Sequence, residues 1–383
     1  MKYWRGYLIA AILGALTWGM MEFAKAHTAL VDMFYPYFTR LIQTTLAGWA
    51  SGVNFCLWQL LVVFLVMLLI ATIVLMIIFK WNFIQWLGWV LASATMLFTL
   101  HTGLYGLNSY SGPLAEDIRL NVVSYDITEL VEATTYFRDK ANELALQIPR
   151  NELGQPQYPS FEEMAQSAGE GFETLTYEKS YAVFAGSTLP VKKLDWSEWY
   201  TSMSITGVTM PLTGEAAVNA DIPVISLPFT MCHEMAHRMC ISYERDANLA
   251  AFLACNAHSD ITFQYSAYFM AYRYCYNALV GSGTSAAIAA AKQINEGVNY
   301  MLLADLTEYR TFFTSNSKEQ ATNVATSVND TYIKVSGDEQ GVASYGEVCD
   351  LLVSWYLQEI YWPNHQEVVE EFNPLDKNEV FGD

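Results

Sequence analysis

The chain has 383 residues, 53% of them hydrophobic and only 15% charged, where an average soluble domain carries about 25% charged residues. The formal net charge of −19 is unevenly divided. Residues 1–103 hold five basic side chains (Lys2, Arg5, Lys25, Arg40, Lys80) and two acidic ones (Glu22, Asp32), which leaves −22 for the other 280 residues. This pattern excludes a wholly soluble globule, and a nucleic-acid binder too, because phosphates need a basic face. It predicts a membrane anchor, residues 1–107, followed by one acidic domain, residues 108–383.

Membrane-spanning helices are predicted at about 6–24, 56–79 and 83–103. Residues 56–79 are 24 consecutive residues without a charge, enough at about 1.5 Å per residue to cross about 30 Å of hydrocarbon. The first apolar run follows a basic start and precedes Ala24-Lys25-Ala26. It reads either as a cleavable signal peptide or as a retained helix, and Glu22 favours retention. Lys2, Arg5 and Lys80 set the inner side, so residues 27–54 and the acidic domain are expected outside. Residues 27–54 form an external amphipathic loop. Phe34, Tyr37, Leu41, Leu46 and Trp49 are spaced like one face of an interfacial helix, although an ordinary connecting loop would also serve.

From Asn108 the pattern is mainly helical, giving an α+β fold with a small sheet. Helices are expected over 124–148, over 160–179 with an interruption at Gly169 and Gly171, and over 227–240, 243–258 and 260–279. Further helices are expected over 284–314 with a break, 317–335 and 343–361. Residues 203–225, with β-branched residues, two glycines and two prolines, read as short strands and turns. Five of the six cysteines fall in this domain without metal-ligand spacing, either all as thiols or with one disulfide.

The chemistry concentrates in His233-Glu234-Met235-Ala236-His237. Positions i and i+4 share a helix face, so both imidazoles can reach one metal ion, and Glu234 is placed to handle a proton on bound water. A tight turn over 238–243 would bring a second, antiparallel helix back. Glu244 then lies opposite His237 and Asn248 opposite His233, a His-His-Glu zinc site with Asn248 free to orient a histidine. Asp246 projects the other way. His258, about 21 Å further along a straight helix, is out of reach, and Cys240 is a weaker ligand than Glu244. Tyr345 is the candidate partner for a developing oxyanion, and Glu215 a candidate for binding a substrate N-terminus or for a structural role.

These residues resemble the gluzincin arrangement, His-Glu-x-x-His followed by Glu-x-x-Ala-[Asp/Asn]. The stretches 104–114, 207–237, 244–255 and 329–352 resemble the bacterial domain-of-unknown-function family 3810, whose members are membrane proteins with this motif. The resemblance implies a zincin-like metallopeptidase domain. It would place a glycine at the position of Cys240 and a glutamate at that of Asp246. The expected function is a multi-pass cell-membrane zinc metallopeptidase acting on peptides or proteins outside the cytoplasm. The alternative is a catalytically silent membrane-anchored sensor that keeps zinc as a structural element.

Overall fold

The computed structural model describes residues 4–316 and 347–365, together with 322, 323, 326, 327 and 330. Three helices are long and apolar enough to cross a membrane: α1 (Arg5–Ala26), α3 (Leu57–Ile78) and α4 (Phe83–Leu104). Between the first two lies α2 (Thr28–Ala50). α1 and α4 run parallel in close contact. The Thr17 and Thr99 hydroxyls are 2.7 Å apart, and a Cβ on Gly6 would overlap the backbone of Gly88. Such small-residue contacts are how apolar helices approach where burial alone gives no drive to associate. α3 runs the other way, so the end of α1, both ends of α2 and α3's first turn, and the end of α4 gather on one side, against the C-terminal domain.

Residues 27–54 settle as helix rather than loop. The buried stripe of α2 is Val31, Thr39, Arg40, Gln43, Ala47 and Ala50, and it packs on the C-terminal domain. Pro36 sits within this helix. It has no N–H to donate, and the Thr39 hydroxyl bonds back to the Tyr35 carbonyl (2.9 Å).

Short elements follow: α5 (Leu114–Asp117), α6 (Ile127–Ala145), α7 (Phe161–Ser167) and α8 (Glu170–Glu178). Asp126 and Glu129 form a reciprocal cap that starts α6 three residues later than the pattern suggested. The expected interruption separates α7 from α8. Next come β1 (Lys192–Lys193), α9 (Ser197–Ser202), β2 (Gly207–Met210) and β3 (Glu215–Val218). The sheet order is β1-β3-β2. β1 lies parallel to β3, and β2 is antiparallel to it, with Gly207 opposite Val218 and Met210 opposite Glu215. Among the described residues β2 is therefore an outer strand.

The core is helical: α10 (Leu227–Arg238), α11 (Glu244–Ala257) and α12 (Ile261–Gly281). α11 is buried on every side from Asp246 to Cys255, apolar there except for Asp246 and Asn248, as befits a central helix. The expected helix over 284–314 is broken into α13 (Ser285–Glu296) and α14 (Tyr300–Asn316), and α15 (Val348–Tyr356) closes the domain. Trp355 of α15 meets Phe252 of α11 edge to face at 4.8 Å. The helix expected over 317–335 falls largely outside the described residues. All six cysteines are buried thiols, and the sulfurs of Cys232 and Cys255 lie 3.5 Å apart.

Two ties bind this domain to α3. Glu215 accepts the N–H groups of Leu57 and Trp58, both at 2.8 Å, and the Lys192 ammonium at 2.6 Å. The carboxylate caps the positive end of α3, so its role is structural and it is not free for a substrate N-terminus. Gln59 pairs with the backbone of Asp195 in both directions, donating at 3.0 Å and accepting at 3.1 Å.

Candidate metal centre

α10 begins with Pro228 in its first turn, where a missing N–H costs nothing. It ends at Arg238, and α11 starts at Glu244 after the predicted tight turn. That turn needs a left-handed residue, and Cys240 takes it with φ 70°. Glycine would do so freely, whereas an L side chain pays about 1–2 kcal/mol. The turn still closes: Cys240 N–H donates to the His237 carbonyl at 2.9 Å and Ile241 N–H to that of Ala236 at 3.1 Å.

The reversal brings three ligand atoms together. His233 Nε2 and His237 Nε2 are 3.1 Å apart. Glu244 Oε2 lies 3.2 Å from the first and 3.5 Å from the second. A tetrahedral zinc with bonds of about 2.0–2.1 Å holds its ligands about 3.3–3.4 Å from one another. The spacing and the two-nitrogen, one-oxygen donor set both fit such an ion. His237 is further oriented by Nδ1, which bonds the Ile241 carbonyl at 2.8 Å and so turns Nε2 to the cluster.

Glu234 is 5% exposed and lies beneath β2. The Thr209 hydroxyl shares its proton between Glu234 Oε2 (2.7 Å) and the Glu234 carbonyl (2.9 Å). Gly207 lies against the same carboxylate, and a Cβ there would overlap Oε1. Glycine at this point leaves room for the carboxylate, which any Cβ would displace.

The electrostatics of the cluster favour positive charge. Burial pushes the Glu234 carboxyl up, and the two imidazoles and Thr209 only partly reverse it. Burial would lower the His237 imidazolium, but Glu244 and Glu234 outweigh it and lift its pKa to about 9. Burial opposes ionisation of Glu244 as well, yet the histidine charges hold it well below the usual carboxylate range.

The remaining sequence candidates fall as follows. Asn248 is buried on α11, and its Oδ1 accepts from Tyr274 of α12 at 3.2 Å. Its Nδ2 and His233 Nδ1 have no hydrogen-bond partner among the described residues. Asp246 turns away and accepts the Leu114 N–H at 2.9 Å. His258 caps: its Nε2 bonds the Ser167 carbonyl at 3.0 Å and its Nδ1 accepts from Asp260 N–H at 2.9 Å. Tyr345 lies outside the described residues.

Sequence reading missed the residues that hold the end of α10. The Tyr105 hydroxyl donates to the His237 carbonyl at 3.0 Å, and Arg40 Nε to the Met239 carbonyl at 3.3 Å. Thr209, Gly207 and Tyr274 were missed too. No local spacing announces them, since each meets the motif only through the tertiary fold.

A family model described as "Protein of unknown function (DUF3810)" matches residues 31–353. The chain belongs to this family. The matched region contains most of α2, all of α3 and α4, the sheet and the whole His233–Glu244 cluster. No curated protein and no solved structure matches the chain.

Proposed function

We propose that this protein is a multi-pass membrane-anchored zinc metallopeptidase, with its C-terminal domain on the extracytoplasmic side. The observation that carries the reading is the convergence of His233, His237 and Glu244 at tetrahedral-edge distances with Glu234 buried beside them. Three protein ligands leave a fourth position for water, where a purely structural zinc site would normally be closed by a fourth side chain. Arg5 and Lys80 cluster at the ends of α1, α3 and α4 away from the domain, which by the positive-inside rule puts the domain outside.

His233, His237 and Glu244 would hold the ion. Bound zinc supplies a lowered water pKa, toward about 7, and a polarised substrate carbonyl. Glu234, held by Thr209, takes the proton of the attacking water and passes it to the leaving amine. The outer edge of β2 pairs with an extended peptide as an added strand, and Gly207 lets that strand lie close to Glu234. Tyr345 is proposed to donate to the developing oxyanion.

The test is metal content and peptide-library cleavage by the full-length chain in detergent, wild type beside Glu234→Gln. Both should carry one zinc per chain, and the variant should cleave about 10²–10⁴-fold more slowly. Equal cleavage by the two proteins refutes the assignment. One zinc without cleavage of any peptide would make the chain a membrane-anchored sensor instead.

A further inference from the structure

The surface beside the metal cluster is apolar in the wrong place for a domain surrounded by water. On α2, Leu30, Phe34, Phe38, Leu41 and Trp49 are all roughly half or more exposed, whereas the exposed Met33 and Tyr37 border a pocket shared with Cys240, Ile241 and Asp246 of the C-terminal domain. Leu30, Phe34, Phe38 and Leu41, spaced by four and three, make one stripe, and Trp49 stands about two turns further on, past the exposed Thr44, Thr45 and Gly48. A second apolar outcrop stands at α9, where Trp196 and Trp199 are 58% and 57% exposed. Trp196 precedes α9 with φ 61°, a left-handed conformation that a bulky residue rarely takes.

Both outcrops adjoin the points where the apolar spans end. α2 is joined to α1 through His27 alone and leads within seven residues to α3. α9 follows Asp195, whose backbone is locked to Gln59 in the first turn of α3. Tryptophan is enriched where a span meets the headgroups, and an amphipathic helix lying in the interface buries its apolar face there. Continuity with the three spans therefore identifies what covers this face: the lipid surface.

The metal cluster is fastened to the same layer. Tyr105, the residue after α4, reaches the His237 carbonyl, and Arg40 of α2 reaches that of Met239. β2 starts beside Glu234 at Gly207, and just past its end the Pro211 carbonyl accepts from Gln43 of α2 at 3.0 Å. A peptide paired along β2 would run between the cluster and the lipid-facing helix.

We propose that the domain is docked on the bilayer through the apolar stripe of α2 with Trp196 and Trp199, so that its substrates are polypeptides tethered in the same membrane and cut beside it. The docking stands on its own, and the substrate class rests on the peptidase reading.

The two parts are tested separately in the full-length chain reconstituted in liposomes. All six native cysteines are buried, so a single spin label can be placed by Leu41→Cys, Trp199→Cys or, as control, Tyr177→Cys, whose parent side chain is 82% exposed. Labels at 41 and 199 should be relaxed by oxygen and protected from an aqueous nickel chelate, with the reverse at 177. Chelate access at 41 and 199 equal to that at 177 overturns the docking.

For the substrate class, a randomised decapeptide library is offered free in solution or joined by a short linker to a palmitoyl anchor. Tethering raises effective concentration, so the anchored library should be cut about tenfold faster or more by wild type and not by Glu234→Gln. Equal cutting of both libraries overturns the substrate class and leaves the peptidase reading intact. No cutting of either, with docking observed, overturns the peptidase reading and the substrate class with it.

Discussion

The Tyr105 hydroxyl donates to the carbonyl of His237 at 3.0 Å, joining the residue after α4 to a residue of the metal cluster. That oxygen is one of the carbonyls a helix leaves without an internal partner at its C-terminus. Cys240 N–H supplies one bond to it and Tyr105 the other. Tyr105→Phe keeps the ring and removes the donor. It should lower stability by about 1 kcal/mol, read as a lower thermal midpoint of the zinc-loaded chain in detergent. An unchanged midpoint would mean that the cluster is not held from the α4 end.

Metal removal gives a second expectation. An ion bound only by the folded cluster stabilises the chain by mass action, by about 2.7 kcal/mol when free metal is a hundredfold above Kd. Chelation should lower the thermal midpoint of the wild type and leave that of His233→Ala untouched, since the variant lacks a ligand. His258→Ala is the control, because His258 bonds Ser167 and Asp260 rather than the cluster. It should retain one zinc per chain and the full chelator response.

The convergence of His233, His237 and Glu244 was legible because its geometry is local. Two histidines four residues apart share a helix face wherever the helix goes, and one turn of chain suffices to return Glu244 to them. The turn itself could not be read from residue type, since Cys240 occupies a left-handed position that glycine normally fills. Thr209 is 25 residues from Glu234, Tyr105 is 132 from His237 and Arg40 is 199 from Met239. Such pairs carry no periodicity. The three long apolar helices were readable from apolar length alone. For α2 the pattern was compatible with either helix or loop, and its packing on the C-terminal domain decided between them.

Glu215 offers a test of how the domain is tied to α3. Its side chain is 1% exposed and that of its partner Lys192 is 11% exposed, at 2.6 Å. Glu215→Gln removes the charge and leaves the ammonium buried with two backbone carbonyls, those of Ala50 and Phe55. Breaking one side of a buried pair costs about 3–5 kcal/mol, and the N-terminal charge on α3 goes with it. A fall in thermal midpoint much larger than that of Tyr105→Phe is expected, and a smaller one would show that α3 is anchored by Gln59 instead.

Gly207 and Thr209 act on Glu234 from the same strand and separate positioning from metal binding. Gly207→Ala would drive a Cβ into Glu234 Oε1, Cγ and Cδ, so the carboxylate must shift from its place beside Thr209. Thr209→Val is nearly isosteric and removes the hydroxyl that holds Oε2. If Glu234 carries the proton, both variants should keep one zinc per chain while kcat falls. The fall should be about tenfold for Thr209→Val, the worth of one charge-assisted hydrogen bond at about 1.5 kcal/mol, and larger for Gly207→Ala. Thr209→Ser keeps the hydroxyl and lacks the methyl group, and it should retain most of the wild-type rate if the hydrogen bond rather than packing is what matters. Wild-type kcat in Gly207→Ala with zinc bound would remove Glu234 from the proton path.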